Sequence, residues 1–132
     1  MAQHPDPLWL VLTTEADQQR ASALAEQLIS RELAACVSFQ AIQSCYRWEG
    51  RVERADEVQL LIKTTAPGLN AVLGAIEALH SYDNPEILHW QARPSHAYGA
   101  WAAAAINPDA ERADQAVKPV SEALIGSRPV RH

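Results

Sequence analysis

The sequence predicts an α+β fold: a ferredoxin-like βαββαβ sandwich with a long hairpin between its second and third strands and a C-terminal helix. Three observations carry this. Short apolar or alternating runs and 3.6-periodic stripes follow one another in the order β-α-β-β-α-β-α along the 132 residues. A single Glu-Gly turn, Glu49-Gly50, joins two long extended arms. The length is that of one domain, large enough to bury a core without staples. The first six elements form the split βαβ arrangement, an antiparallel sheet with two helices on one face. The opposite sheet face is then left needing cover.

Residues 1–7 contain Pro5 and Pro7 and read as a flexible lead-in to a domain spanning 8–107, with 108–132 as a tail. Leu8-Trp9-Leu10-Val11-Leu12 is too short for a helix and reads as a strand buried on both faces. Thr14 and Asp17 approximate a capping box. Ala21, Leu24, Ala25, Leu28 and Ile29 then make one helical stripe, so a helix is expected from about Asp17 to Leu33. In the next segment Val37, Phe39 and Ala41 are apolar at odd positions, but Ile42, Tyr46 and Trp48 at even ones. That change of phase predicts a bulge or break near Ala41–Ile42. The hairpin Ile42–Lys63 returns through Val52, Val58, Leu60 and Ile62, with Glu53, Glu57, Gln59 and Lys63 on the other side. Thr65 caps a second helix with Pro67 in its first turn and a stripe of Leu69, Val72, Leu73, Ile76 and Leu79. Asn84-Pro85 turns the chain into a short strand, Ile87–Ala92. Ser95 caps a third helix presenting Tyr98, Trp101, Ala102 and Ala105 on one face, stopped by Asn107-Pro108. The tail carries Pro119, Gly126 and Pro129, with one helical turn expected around Ser121–Ile125.

Composition excludes several functions. The net charge is -5 and the 11 Lys and Arg are scattered, so no basic face for nucleic acid is expected. The longest apolar runs, Leu8–Leu12 and Ala100–Ile106, fall far short of the ~20 residues that cross a bilayer. The first residues show no export-signal pattern. The two cysteines are not arranged as CxxC, and a cytoplasmic protein with reduced thiols is expected.

An oligomer is expected from the hairpin. Arms of about ten residues reach roughly 33 Å, whereas a domain of this size has a radius of gyration near ~14 Å. The tip carries Tyr46 and Trp48, which an isolated two-stranded ribbon cannot shelter, so a neighbouring subunit should cover them.

Copper and zinc favour imidazole or thiolate donors. Cys36, Cys45, His80, His89 and His96 are the candidates, His4 and His132 lying in the ends. Cys36 and Cys45 are separated by about 30 Å of extended chain at ~3.3 Å per residue, too far to share an ion within one subunit. Cys36 reads as a packed thiol or a ligand, and Cys45 as an interface residue. His80 reads as a helix-end cation complementing the dipole or as a ligand. His89 faces an interface or solvent. A second set, Trp48, Glu49, Lys63, Tyr82 and Glu86, is able to line a cleft between subunits for a small charged ligand. Singly, Glu49 reads equally as a solvated turn residue and Lys63 as an ordinary strand-end charge. There is no GxSxG elbow, HExxH pair or phosphate-cradling glycine loop, and the chain is not read as an enzyme.

Ala34-Ala35-Cys36-Val37, Tyr46-Arg47-Trp48-Glu49-Gly50, Ile62-Lys63-Thr64 and His80-Ser81-Tyr82-Asp83-Asn84-Pro85-Glu86-Ile87, in that order, resemble the CutA divalent-cation tolerance family over roughly residues 8–106. The resemblance implies a homotrimer with hairpins exchanged between subunits. It also implies a cytoplasmic role in tolerance of copper and other divalent metals, in response to metal ion, with copper or another divalent cation weakly bound. Of the donors weighed above, His80 and Cys36 are the metal-ligand candidates. The fold and trimer are similar to those of the PII signalling proteins, so a PII-like trimeric small-molecule sensor is the alternative. The sequence departs from the family pattern at Thr13, where some members carry a cysteine, at Leu79, where some carry a second histidine, and at Ser81, where proline is usual.

Overall fold

A computed structural model describes residues 5–107. The elements are β1 (Leu8–Glu15), α1 (Gln18–Ser30), β2 (Cys36–Trp48), β3 (Arg51–Thr65), α2 (Ala66–Leu79), β4 (Leu88–Ala92) and α3 (His96–Ala105). The four strands form one antiparallel sheet in the order β2-β3-β1-β4. Each βαβ unit is thus split by one intervening strand, the ferredoxin-like arrangement. The expected tail, with its helical turn near 121–125, lies outside the described residues.

The core lies between α1, α2 and one face of the sheet. Val58, Leu60 and Ile62 of β3 and Val11 of β1 meet Leu24 and Leu28 of α1 and Val72 and Ile76 of α2, all buried. The other face carries Leu88 and Trp90, 53% and 41% exposed. Leu10 and Leu61, which pair with Trp90 and with Leu12 along that face, are half-buried. This is the face that α1 and α2 leave needing cover, as the element order foretold.

Two expectations about helix ends are corrected. Thr14 does not cap α1, because β1 runs on to Glu15 and Thr14 is buried in it. Asp17 is the cap instead, its side chain accepting from the Arg20 N–H at 2.8 Å. The helix ends at Ser30 rather than Leu33 because Glu32 takes φ 58°, and the N–H groups of Glu32 and Leu33 close back onto the carbonyls of Ile29 and Leu28. That Schellman-type closure normally marks itself with glycine, and here it does not. Thr65 and Ser95 cap α2 and α3 as expected. The α3 face differs: Gly99 and Ala102 are buried, while Tyr98 and Trp101 stand 40% and 53% exposed.

The expected bulge is absent. β2 and β3 pair without interruption from Cys36↔Lys63 to Trp48↔Arg51. Val37, Phe39 and Ala41 pair with Ile62, Leu60 and Val58, on the helix-covered face. Ile42, Tyr46 and Trp48 lie on the other face and are half-buried, whereas Gln43, Cys45 and Arg47 are exposed. The strand keeps its phase, and the face that is apolar changes where the helices stop. Glu49 and Gly50 close the hairpin with φ 49° and 78°, the positive angles of a two-residue turn. Because β1 pairs with β3 over Val58–Thr65, residues Arg51–Glu57 have β2 as their only strand neighbour among the described residues. Seven residues of each arm therefore project, about 23 Å at ~3.3 Å per residue.

Candidate functional site

At the C-terminal end of β1 the loop after α2 crosses the sheet and packs a buried polar cluster. Glu15 ends β1, following Thr13 and Thr14, and is 1% exposed. Its carboxylate accepts from the Ser81 N–H at 3.0 Å, the Ser81 hydroxyl at 2.5 Å and the Ala16 N–H at 3.0 Å. His80, the first residue beyond α2, is buried beside it, with Nδ1 3.5 Å from Glu15 Oε2. Nδ1 also accepts from the Tyr82 N–H at 2.9 Å, and Nε2 lies 2.6 Å from the Thr14 carbonyl. An acceptor at Nδ1 and a carbonyl at Nε2 define the neutral tautomer protonated on Nε2. Tyr82 is fully buried and its hydroxyl donates to Glu57 Oε2 at 2.7 Å. Two buried acids from two strands are thereby tied to one loop, through charge-assisted hydrogen bonds that offset the cost of burying them. The hydroxyls of Thr13 and Thr14 are buried in the same end of β1 and have no hydrogen-bond partner among the described residues.

A second cluster lies at the other end of the sheet. Cys36, half-buried, has its Sγ 3.8 Å from Lys63 Nζ, which also donates to Ser38 Oγ at 2.5 Å. Tyr98 of α3 reaches the same thiol. Burial pushes the Tyr98 phenol above its ordinary 10.0, and the neighbouring Cys36 adds to the rise.

The expected site residues therefore occupy separate places in one chain. Cys36 and Lys63 pair at the base of the hairpin, and Trp48 and Glu49 stand at its tip. Tyr82 belongs to the buried cluster, and Glu86 is half-buried in the loop before β4. Cys36 is level with Lys63, while Thr14, the partner of His80, is level with Gln59. Four residues of β3 separate those levels, about 13 Å at ~3.3 Å per residue, so Cys36 and His80 do not converge within a chain. Cys45 is exposed, Tyr46 half-buried, and His89 stacks at 5.4 Å on Trp9. Among the described residues no three His, Cys, Asp or Glu side chains are grouped to hold a metal ion. The described residues of one chain therefore bring no such donor set together. Sequence reasoning missed Glu15, Ser81 and the burial of Glu57, which alternation had set on the side opposite Val58, Leu60 and Ile62. The usable signal was an acid closing the apolar run of β1, since ionised side chains are rarely buried without partners.

These features define a small ferredoxin-like α+β protein with a projecting β-ribbon, an apolar sheet face that α1 and α2 do not cover, and a buried acid–histidine–tyrosine cluster. The chain belongs to the CutA1 divalent ion tolerance protein family, whose model matches residues 9–105. It is 40% identical over 80 residues to the divalent-cation tolerance protein CutA of Pectobacterium atrosepticum, covering 60% of this chain and 73% of that protein. Among solved structures, CutA from Synechococcus elongatus superposes with a TM-score of 0.76 at 37% identity, covering 80% of this chain and 95% of that one. The periplasmic divalent cation tolerance protein CutA from Archaeoglobus fulgidus gives a TM-score of 0.73 at 28% identity, covering 76% and 99%. No helix among the described residues is long and apolar enough to cross a membrane.

Proposed function

We propose that this protein binds a divalent cation, copper foremost, as a cytoplasmic homotrimer acting in divalent-cation tolerance and the response to metal ion, without a catalytic step. The observation that carries this reading is the family match over residues 9–105. The trimer is supported by the projecting ribbon, whose apolar side Ile42, Tyr46 and Trp48 faces away from its own helices, and by the bare Leu88 and Trp90 on the same sheet. Sister ribbons covering those faces would remove apolar surface at about 25 cal/mol per Å2.

Cys36 and His80 are the metal donors, brought together from different subunits, and Trp48, Glu49, Lys63 and Glu86 line the cleft between them, with the buried Tyr82 packed behind it. His80 has both ring nitrogens engaged, so it ligates only by giving up a hydrogen bond. That exchange fits weak binding, with copper(I) favouring the Cys36 sulfur.

Calorimetric titration with copper, run with sedimentation of the same samples, tests the proposal. The expected result is a trimer with saturable binding that weakens in both Cys36→Ser and His80→Ala. A monomer, or binding unchanged in both variants, overturns it. The saturated hydrogen bonding of His80 favours one alternative, a PII-like small-molecule sensor. Metabolite or nucleotide binding that survives His80→Ala, with no copper uptake, would establish that alternative instead.

A further inference from the structure

The base of the hairpin sets a thiol against an amine. Cys36, the first residue of β2, is the register partner of Lys63 on β3, so the two side chains leave the same face of the sheet side by side. The backbone is pinned there from both sides. The Ala35 N–H donates to the Lys63 carbonyl at 2.9 Å, and Lys63 also pairs with Leu10 of β1. Lys63 Nζ lies 3.8 Å from Cys36 Sγ and donates to Ser38 Oγ, so the amine meets a thiol and a hydroxyl. Tyr98 of α3 hydrogen-bonds to the same thiol. Cys36 and Lys63 are both half-buried, held in place yet open to a small solute.

The other cysteine of β2 shows what this pairing adds. Cys45 is exposed, and its register partner is Arg54. A guanidinium stays protonated and has no lone pair to give, whereas a lysine amine that has lost its proton is a nucleophile. Of the two cysteines, Cys36 is the one that faces a group able to attack its sulfur once it is oxidised.

We propose that Cys36 and Lys63 join through a reversible sulfur–nitrogen bond under peroxide, a redox tie across the base of the hairpin. The Cys36 thiolate attacks hydrogen peroxide: an S–O bond forms, the O–O bond breaks, and hydroxide leaves, giving the sulfenic acid. The neutral Lys63 amine then attacks sulfur. An S–N bond forms, the S–O bond breaks, and the hydroxyl departs with an amine proton as water. One thiol, one amine and one peroxide thus become one sulfenamide and two waters, the sulfur giving up two electrons to the peroxide. Sulfenic acids condense in this way with backbone nitrogen. The flexible four-carbon stem of lysine closes the remaining gap by rotation, with no strand displaced. Held beside the sulfur, the amine outcompetes a second peroxide from solution. A reducing thiol reverses the tie, attacking sulfur and returning the amine with a proton, and a second thiol then frees Cys36. The step uses no metal and stands apart from cation binding.

Peroxide treatment of the full chain carrying Cys45→Ser, followed by denaturation, trypsin digestion without reductant and mass spectrometry, tests this. The expected product is a single chain lighter by two hydrogens, with the peptide carrying Cys36 joined to one that runs uncut through Lys63. Dithiothreitol should restore the original mass. Lys63→Arg should abolish the link and leave Cys36 as sulfinic or sulfonic acid. The unaltered protein gives a second readout that needs no variant to fold: peroxide should block tryptic cleavage after Lys63, and dithiothreitol should restore it. Cys36 recovered unmodified or as sulfinic or sulfonic acid with Lys63 still cut overturns the proposal. So does a link between two chains, or a loss of two hydrogens that persists in Lys63→Arg.

Discussion

The Tyr82 hydroxyl donates to Glu57 Oε2 at 2.7 Å with both side chains buried, fastening the loop after α2 to the middle of β3. The bond lies where the projecting ribbon begins, since Glu57 is the last β3 residue before the register shared with β1. Tyr82→Phe should keep the ring packing and remove the donor. Leaving a buried carboxylate one partner short should cost about 1–3 kcal/mol, read as a lower urea midpoint at unchanged slope. A variant as stable as the parent would mean that the hydroxyl adds nothing to the carboxylate's satisfaction.

Gly68 packs the start of α2 against the core. A Cβ there would lie 2.5 Å from Thr64 Oγ1 and 3.2 Å from the Leu33 carbonyl. Thr64 Oγ1 donates to that carbonyl at 2.8 Å, so neither atom moves without breaking the bond. Gly68→Ala should therefore destabilise by about 1–3 kcal/mol, despite alanine's better helix propensity. A thermal scan showing Gly68→Ala more stable than the parent would rule out the clash.

The cap of α1 has a pH signature. The Arg20 backbone N–H holds the Asp17 carboxyl below its ordinary 3.8, aided by the Arg20 guanidinium. A folded value below the unfolded one means the contribution is complete above about pH 4 and is lost as pH falls through the lower folded value. The uncharged Asn cap in Asp17→Asn has no such titration. The stability difference between parent and Asp17→Asn, followed by urea unfolding, should shrink as the solution is acidified from pH 5 toward pH 2. A difference that stays constant over that range would contradict the assignment.

The ribbon's apolar side should matter for assembly and not for the subunit's fold. Tyr46 and Trp48 lie beyond the part of the sheet that the helices cover. Tyr46→Asp with Trp48→Asp should lower the sedimentation coefficient of the proposed trimer and leave the far-ultraviolet circular dichroism unchanged. A double variant still assembled at micromolar concentration would place the contacts elsewhere.

The elements were legible because each depends on nearby residues. Alternation and stripes marked three helices and four strands, Glu49-Gly50 marked the turn, and Thr65 and Ser95 marked two caps. The end of α1 was hidden because Glu32 adopts a left-handed angle that the sequence reserves for glycine. The apparent phase slip at Ala41–Ile42 was misread as a bulge because period-two patterning reports which face is covered, and coverage changes along the hairpin. The family pattern located His80 and Tyr82, but not what they hold.

By itself the sequence determined the order of elements, the long ribbon and the excess of apolar surface, all consequences of side-chain spacing on a regular backbone. Tertiary structure decided which polar groups were buried together. Glu15, Glu57, His80 and Tyr82 come from two strands and a loop, and only the folding of that loop across the sheet makes them neighbours. Hydrogen-bond satisfaction depends on atoms far apart in the chain, so no local pattern encodes it.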